Sequence, residues 1–357
     1  KETMEKNATA DDPWSHKYND NKNAPGFGAY CLAKWEKGDR FEVVSNPDYY
    51  RGKPFFTRVV MLKVPEAGNR VVSLRSGAAS LIERVTPKQF NSLRGAKGVK
   101  VAGVVGNENL FVHMNYQTPP FDNINLRKAI AHAIPYDAII RDAYFGDAKK
   151  WKGIIPSSYI DYHEPSTLYD EDLDKARDFL AKAGYPGGKG LEEFKDAFYL
   201  SYITEKEAQL GPVVTLIKSN LAKIGITVQL DPMPQTQYGD RQLVKKDLPF
   251  AVNDQEKPIA PDAVYGFLLF FVSQEKGGLN TMVNYSNPKV DELYASALIE
   301  GDAAKRTAQS AEVQEILAND VAWIPVVEWK TQWAFNDKIK GIKWHPDNSI
   351  RWYDLSK

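Results

Sequence analysis

Strand-like and helix-like segments alternate along most of this chain, and that alternation constrains the fold more than any other feature. Apolar side chains recur at helical spacing over residues 66–76, a strand-like run follows at 80–83, and a second helical segment begins at Thr86. The apolar run at 110–115 predicts a strand, and residues 125–134 predict a helix with one apolar face. This order is typical of an α/β layer rather than a β-sandwich or a helical bundle.

Capping residues and turn residues predict the remaining elements. Asp170 is expected to cap a helix that ends at Gly184, and a longer helix over 206–224 ends at Gly225. Gly38 and Asp39 separate two β-rich runs and predict a hairpin. The polar opening segment, to about residue 22, predicts a surface loop. Further helices are expected at 288–298 and 303–319, and short strands at 323–329, 331–336 and 341–346.

Size and composition favour a soluble two-lobed protein. The 357 residues exceed what one hydrophobic core usually organises, which predicts two lobes and a cleft. Lys plus Arg and Asp plus Glu both number 46, and this zero net charge disfavours nucleic acid as a partner. The longest apolar run, about 263–272, is shorter than the roughly 20 residues that cross a bilayer. Cys31 is the only cysteine, which excludes an internal disulfide and thiolate zinc sites.

Motifs for catalysis and for cofactors are missing from the sequence. The five histidines are scattered without metal-ligand spacing, so neither a metal site nor a cofactor is predicted. Gly26 and Gly28 lack the third glycine of a dinucleotide fingerprint. The chain also contains no nucleophile elbow and no P-loop, so it is not expected to be an enzyme.

Four segments, in order, carry a resemblance to a known family. They are GFGAYCLAKWEKGDRFEVVSNPDYYRGKP at 26–54, LFVHMNYQTPPFDNINLRKAIAHAI at 110–134, LDKARDFLAKAGYPGG at 173–188 and NYSNPKVDELYASA at 284–297. Together they resemble bacterial extracellular solute-binding proteins of family 5, also called cluster C, which serve peptide, nickel and oligosaccharide importers. Family members normally carry a further amino-terminal portion, so the chain is expected to be a fragment, a processed product or one of two chains.

The resemblance implies a fold, a function and a location. The fold would be α/β, the two-lobed periplasmic-binding-protein type II fold with mixed sheets and a hinge. Lobe one would comprise 1–112 plus 329–357, and lobe two 113–328. A peptide or similar small solute would bind between closing lobes and pass to the permease of a membrane ABC importer. A separate chain could supply the missing amino-terminal portion, and the protein would be periplasmic, or extracellular and lipid-anchored, with any export signal removed or upstream.

The resemblance also points to the loop after residue 250 as the ligand-binding loop. In peptide-binding relatives an acidic residue there pairs with the ligand's ammonium group. When the family's spacing is counted forward from Asp247, the acidic position falls on Glu256. When it is counted back from Pro261, that position falls on Lys257, because this loop is one residue longer than in the family. A carboxylate would pair with an ammonium group and a lysine would favour an anion. We expect Glu256, with Asp254 as second choice; Asn253 replaces the family's tryptophan, and the alternative is a solvated loop tip.

Trp329, Asn280 and Thr281 are further candidates for the ligand site. An aromatic side chain offers a flat contact surface at low entropic cost, although most aromatic residues of this chain must lie in the core. A ligand sensor or chemoreceptor adaptor on the same scaffold is the main alternative function. A hydrolase that uses Asp254 and Glu256 is a weaker one, because no nucleophile or oxyanion motif accompanies these carboxylates.

Overall fold

The computed structural model describes residues 2–21, 26–254, 260–279 and 282–357. The chain divides into two compact units. Unit 1 comprises Lys1–Val85, Ser92–Ala102 and Gln332–Lys357, and unit 2 comprises Thr86–Asn91 and Gly103–Thr331. The lobe boundaries that the family resemblance implies stay a prediction.

Helices and strands alternate through most of the described sequence, as predicted. The helices are α1 Glu2–Asn7, α2 His16–Asn21, α3 Ala67–Arg75, α4 Pro87–Leu93, α5 Ile124–His132, α6 Tyr136–Ala138, α7 Leu173–Lys182, α8 Glu207–Ala222, α9 Gln235–Gly239, α10 Ala263–Phe270, α11 Pro288–Ile299 and α12 Ala303–Asn319. The strands are β1 Tyr30–Glu36, β2 Arg40–Ser45, β3 Arg58–Leu62, β4 Leu81–Glu83, β5 Val99–Met114, β6 Ala148–Lys150, β7 Tyr199–Ile203, β8 Gln229–Met233, β9 Phe250–Asn253 and β10 Ile324–Asn336.

Unit 1 contains an antiparallel sheet in the order β1-β2-β3. The predicted hairpin at Gly38 and Asp39 is confirmed, because it joins β1 to β2 with Glu36 opposite Arg40. Trp35, Phe41 and Met61 are cross-strand neighbours on one face of this sheet. Trp35 and Met61 are 49% and 45% exposed. Much of this apolar face is therefore in contact with water.

The second sheet mixes parallel and antiparallel pairs in the order β4-β10-β5-β9-β7-β8, with β6 paired to β10. β7 runs parallel to both β8 and β9, whereas β5 is antiparallel to β9. Successive side chains of a strand point to opposite faces. Accordingly Val112 packs in one core of unit 2, whereas Phe111 packs in another with α10, α11 and α12.

His113, also on β5, is fully buried opposite Ala251. Within the described part of the chain, neither ring nitrogen of His113 has a hydrogen-bond partner. Burial lowers the pKa of His113 from its usual 6.5 to about 3, because the charged imidazolium loses its hydration. The ring is therefore neutral across the physiological range.

Two glycines in unit 2 pack backbone against backbone. Gly188, with a φ of +81°, lies so close to Gly225 that an added Cβ would overlap the carbonyl oxygen of Gly225. Its neighbour Gly187 also has a positive φ, +62°, but has open space at the Cβ position. Gly225, predicted as the stop after α8, therefore also provides a close approach between two chain segments.

Three local predictions were wrong. The polar opening segment forms α1 and α2 rather than a loop, and α2 is capped by the carboxylate of Asp12, which accepts hydrogen bonds from the backbone N–H groups of His16 and Lys17 at 2.8 and 2.9 Å. The cap of α7 is Asp172 and not Asp170, which pairs with Lys150 instead. The runs predicted at 323–329 and 331–336 are one continuous strand, β10, which begins at Ile324, and 341–346 form no strand.

Candidate functional site

Asp254 lies directly after the buried strand β9, at an edge where a helix also begins. Because β7 is parallel to β9, their carboxyl ends meet at the same edge, and β7 leads through a short turn into α8. The side chain of Asp254 is only 2% exposed and accepts a hydrogen bond from Lys206 Nζ at 2.5 Å. Gln209, in the first turn of α8, donates to the other carboxylate oxygen at 3.3 Å. The protein itself thus neutralises this buried acid.

Tyr144 lies within the electrostatic influence of this acid and forms an aromatic pair with Trp329. Its side chain is 1% exposed, and burial together with the nearby negative charge of Asp254 raises the pKa of Tyr144 well above its usual range. The half-buried ring of Trp329, on β10, stacks on Tyr144 with centroids 5.6 Å apart and planes at 24°. We call Tyr144, Lys206, Gln209, Asp254 and Trp329 the Asp254 cluster.

Two further buried carboxylates flank Trp329 in sequence and in register. Glu328 is 1% exposed, lies 3.0 Å from Lys149 Nζ and accepts hydrogen bonds from the backbone and hydroxyl of Ser157 at 2.6 and 2.8 Å. Asp147 lies 3.0 Å from Lys330 Nζ. Each acid is buried and each lysine reaches solvent, which repeats the arrangement at Lys206 and Asp254.

Asp262 lies near the start of the described range 260–279 and is the N-cap of α10. Its carboxylate caps α10 by accepting hydrogen bonds from the backbone N–H groups of Val264 and Tyr265 at 2.8 and 3.3 Å. Arg306, on α12, donates to both carboxylate oxygens of Asp262 at 2.7 and 2.5 Å and also pairs with Asp161. Both hydrogen bonds to Asp262 come from Nη2, whereas Nη1 donates to Asp161, so one guanidinium group joins the two acids.

The structure brings two of the predicted site residues together and leaves others undetermined. Tyr144 stacks on Trp329 and lies close enough to Asp254 to be influenced by its charge, and Asn253 is buried on β9 opposite Phe111. The predicted residues Glu256, Lys257, Asn280 and Thr281 lie outside the described residues.

Sequence reasoning missed Tyr144, Lys206 and Gln209. The one usable signal was the position of Lys206, at the end of the short turn between β7 and α8, where a strand parallel to β9 would bring it to the same edge.

Across residues 2–21, 26–254, 260–279 and 282–357, no group of three or more His, Cys, Asp or Glu side chains could hold a metal ion. In the same ranges, no helix is both long enough and apolar enough to span a membrane.

Comparison with known proteins identifies relatives of similar sequence. The chain is 26% identical over 326 residues to the probable D,D-dipeptide-binding periplasmic protein DdpA of Escherichia coli K12, covering 91% of this chain and 61% of that protein. It is 27% identical over 334 residues to the glutathione-binding protein GsiB of the same strain, covering 92% and 64%. The chain therefore spans a little over three fifths of the length of these relatives.

Solved structures show the same fold. The substrate-binding protein CtaP of Listeria monocytogenes matches with a TM-score of 0.82 at 20% identity, covering 94% of this chain and 68% of that one. DppA of Helicobacter pylori, in complex with the peptide STSA, matches with a TM-score of 0.78 at 23% identity, covering 92% and 62%. The predicted α/β fold of the periplasmic-binding-protein type II class is confirmed.

A family model extends the comparison over most of the chain. The model of the bacterial extracellular solute-binding proteins, family 5 middle region, matches residues 3–278. This match includes three of the four segments that carried the resemblance in the sequence. The chain belongs to the bacterial extracellular solute-binding proteins of family 5.

Proposed function

We propose that this chain binds a peptide or similar small solute and delivers it to an ABC importer, without catalysing a reaction. The observation that carries the proposal is the Asp254 cluster, at the carboxyl ends of the parallel strands β7 and β9. In open α/β sheets, ligands bind outside the carboxyl ends of the strands. Family membership and relatives named for binding dipeptides and glutathione support this function.

Under this proposal Trp329 supplies an aromatic contact surface, and Asp254 and Asn253 organise the floor of the site in unit 2. Trp329 is half-buried, so part of its ring is available, whereas Asp254 and Asn253 are buried. A membrane permease would be the partner in transport, and the protein would work in the periplasm, or outside the cell on a lipid anchor. The family's extracellular character supports that location.

We further propose that additional polypeptide packs on the sheet β1-β2-β3 in the working protein, supplied either by the same gene product or by a second chain. The exposed side chains of Trp35 and Met61 support this proposal, because a folded domain usually covers contiguous apolar surface. The greater length of the relatives supports it as well.

A thermal-shift screen of the purified chain tests the binding function. The probes are di- and tripeptides, sugars, opines and nickel chelates. A bound solute stabilises the folded state by mass action, by about 2.7 kcal/mol at a hundred times its Kd. We expect one chemical class to raise the melting temperature.

Trp329→Ala should weaken that rise, whereas Arg177→Ala, on the exposed side of α7, is the control and should not. If no class of probe shifts the melting temperature of the wild-type chain, the proposed function is wrong.

A further inference from the structure

The ion pair between Lys206 and Asp254 is exposed on one side only. The Asp254 side chain is 2% exposed and the Lys206 side chain is 29% exposed. A solute that approaches the Asp254 cluster from water therefore meets the ammonium group and not the carboxylate. The charge that the site presents is positive, although its most buried charged group is an acid.

Lys206 has capacity for a further acceptor. A lysine ammonium carries three N–H donors. In the part of the chain that the structure describes, the only hydrogen bond from Lys206 Nζ goes to Asp254 Oδ1. Two donors are thus available for acceptor oxygens of a solute.

The Asp254 cluster disfavours an ammonium group of the solute. To reach Asp254 it would have to displace Lys206 Nζ from its contact at 2.5 Å and compete with the amide of Gln209. It would also lie beside the positive charge of Lys206, which is repulsive in a partly desolvated site. The acid is already neutralised, so little attraction remains to offset that cost.

The ion pairs nearest Trp329 also bury the acid and expose the lysine. Glu328 is 1% exposed and its partner Lys149 is 50% exposed. Asp147 is 9% exposed and its partner Lys330 is 36% exposed. Both pairs keep their acids inside and present ammonium groups to solvent, so the described surroundings of Trp329 favour anionic solutes as well.

We infer that Lys206 determines solute specificity, and that the solute presents a carboxylate or another anionic group to it rather than an ammonium group to Asp254. This inference rests on the proposed function. Asp254 then acts as a positioning residue that holds the Lys206 ammonium at the edge of the sheet.

Three forms of one peptide test the inference by isothermal titration of the purified chain. They are trialanine, N-acetyl-trialanine, which lacks the ammonium group, and trialanine amide, which lacks the carboxylate. Hydrogen bonds to charged groups contribute enough that the amide should bind about tenfold or more weaker than trialanine. The acetylated form should bind about as tightly as trialanine.

Variants assign that preference to Lys206. Lys206→Arg keeps the positive charge and should keep the preference for a free carboxylate. The double variant Lys206→Met with Asp254→Leu removes both charges, so it leaves no buried carboxylate unpaired, and it should bind the amide and trialanine equally. Lys175→Met, at an exposed lysine on α7, is the control and should behave as the wild type.

Three results would overturn the inference while the proposed function stands. One is binding that requires the free ammonium group and tolerates the amide. Another is a double variant that still prefers the free carboxylate. The third is stabilisation of the wild-type chain only by an uncharged solute, such as a sugar. If the screen finds no solute at all, the proposed function fails, and the inference fails with it.

Discussion

Replacement of His113 by leucine should remove a large part of the acid sensitivity of unit 2. The folded state keeps this histidine neutral, because burial lowers its pKa from 6.5 to about 3. Between these two values the unfolded chain binds a proton that the folded chain does not. The stability that depends on a neutral His113 is therefore fully present above about pH 6.5 and is lost as the pH falls toward 3. The loss approaches about 1.4 kcal/mol for each pH unit, or about 2 kcal/mol at pH 5.

Urea unfolding at pH 7.5 and pH 5 measures this contribution. Trp151 and Trp323, in the same aromatic core as Phe111, report the unfolding of unit 2 by fluorescence. At pH 7.5 the leucine variant should be about as stable as the wild type, because an apolar side chain of similar size replaces a buried polar group without partners.

Between pH 7.5 and pH 5 the wild-type chain should lose about 2 kcal/mol more than the leucine variant. His16→Gln, at an exposed histidine, is the control for loss of a histidine and should follow the wild type. Equal losses in the leucine variant and the wild type would refute the reasoning and show that His113 takes up its proton in the folded state.

Three further substitutions test the packing and the ion pairs of unit 2 by urea unfolding at neutral pH. Lys206→Met alone removes the cation that neutralises the buried Asp254 carboxylate and should cost about 3–5 kcal/mol, whereas adding Asp254→Leu should restore most of that loss; no recovery in the double variant would contradict the ion-pair argument. Arg306→Leu should cost several kcal/mol, because it removes the cation shared by Asp161 and Asp262, the second of which caps α10. An effect no larger than that of Arg177→Leu would contradict the importance of this shared ion pair. Gly188→Ala should destabilise far more than Gly187→Ala, since both have a positive φ but only Gly188 meets the backbone of Gly225, and equal losses would show that the close approach is absent.

The sequence predicted elements well wherever local periodicity decides the structure. The helices α5, α8 and α12 were confirmed because their apolar side chains repeat at the helical period and bury one face. Predictions were wrong where tertiary or capping contacts decide. Both Asp170 and Asp172 are suitable caps for α7, and the contact of Asp170 with Lys150, twenty residues away in sequence, selects Asp172.

The candidate site was predictable only in part, for the same reason. The resemblance directed attention to Asp254 and Trp329, because Asp254 follows a recognisable strand and Trp329 lies in one. Lys206 reaches Asp254 through the parallel order of β7 and β9, and Tyr144 joins the cluster by stacking on Trp329; neither relation is written in local sequence. The sign of the exposed charge depends on which partner of an ion pair is buried, and only the three-dimensional structure determines this.

One ion pair therefore couples the stability of unit 2 to its proposed specificity. Because Asp254 is almost fully buried, replacing Lys206 by a neutral residue removes the cation that balances a negative charge in a poorly hydrated site. A change of solute preference at Lys206 consequently requires either a second cation in its place or a compensating change at Asp254. The two positions should vary together among relatives that bind solutes of different charge, and a relative with an unpaired acid at the position of Asp254 would need the solute itself to supply the missing cation.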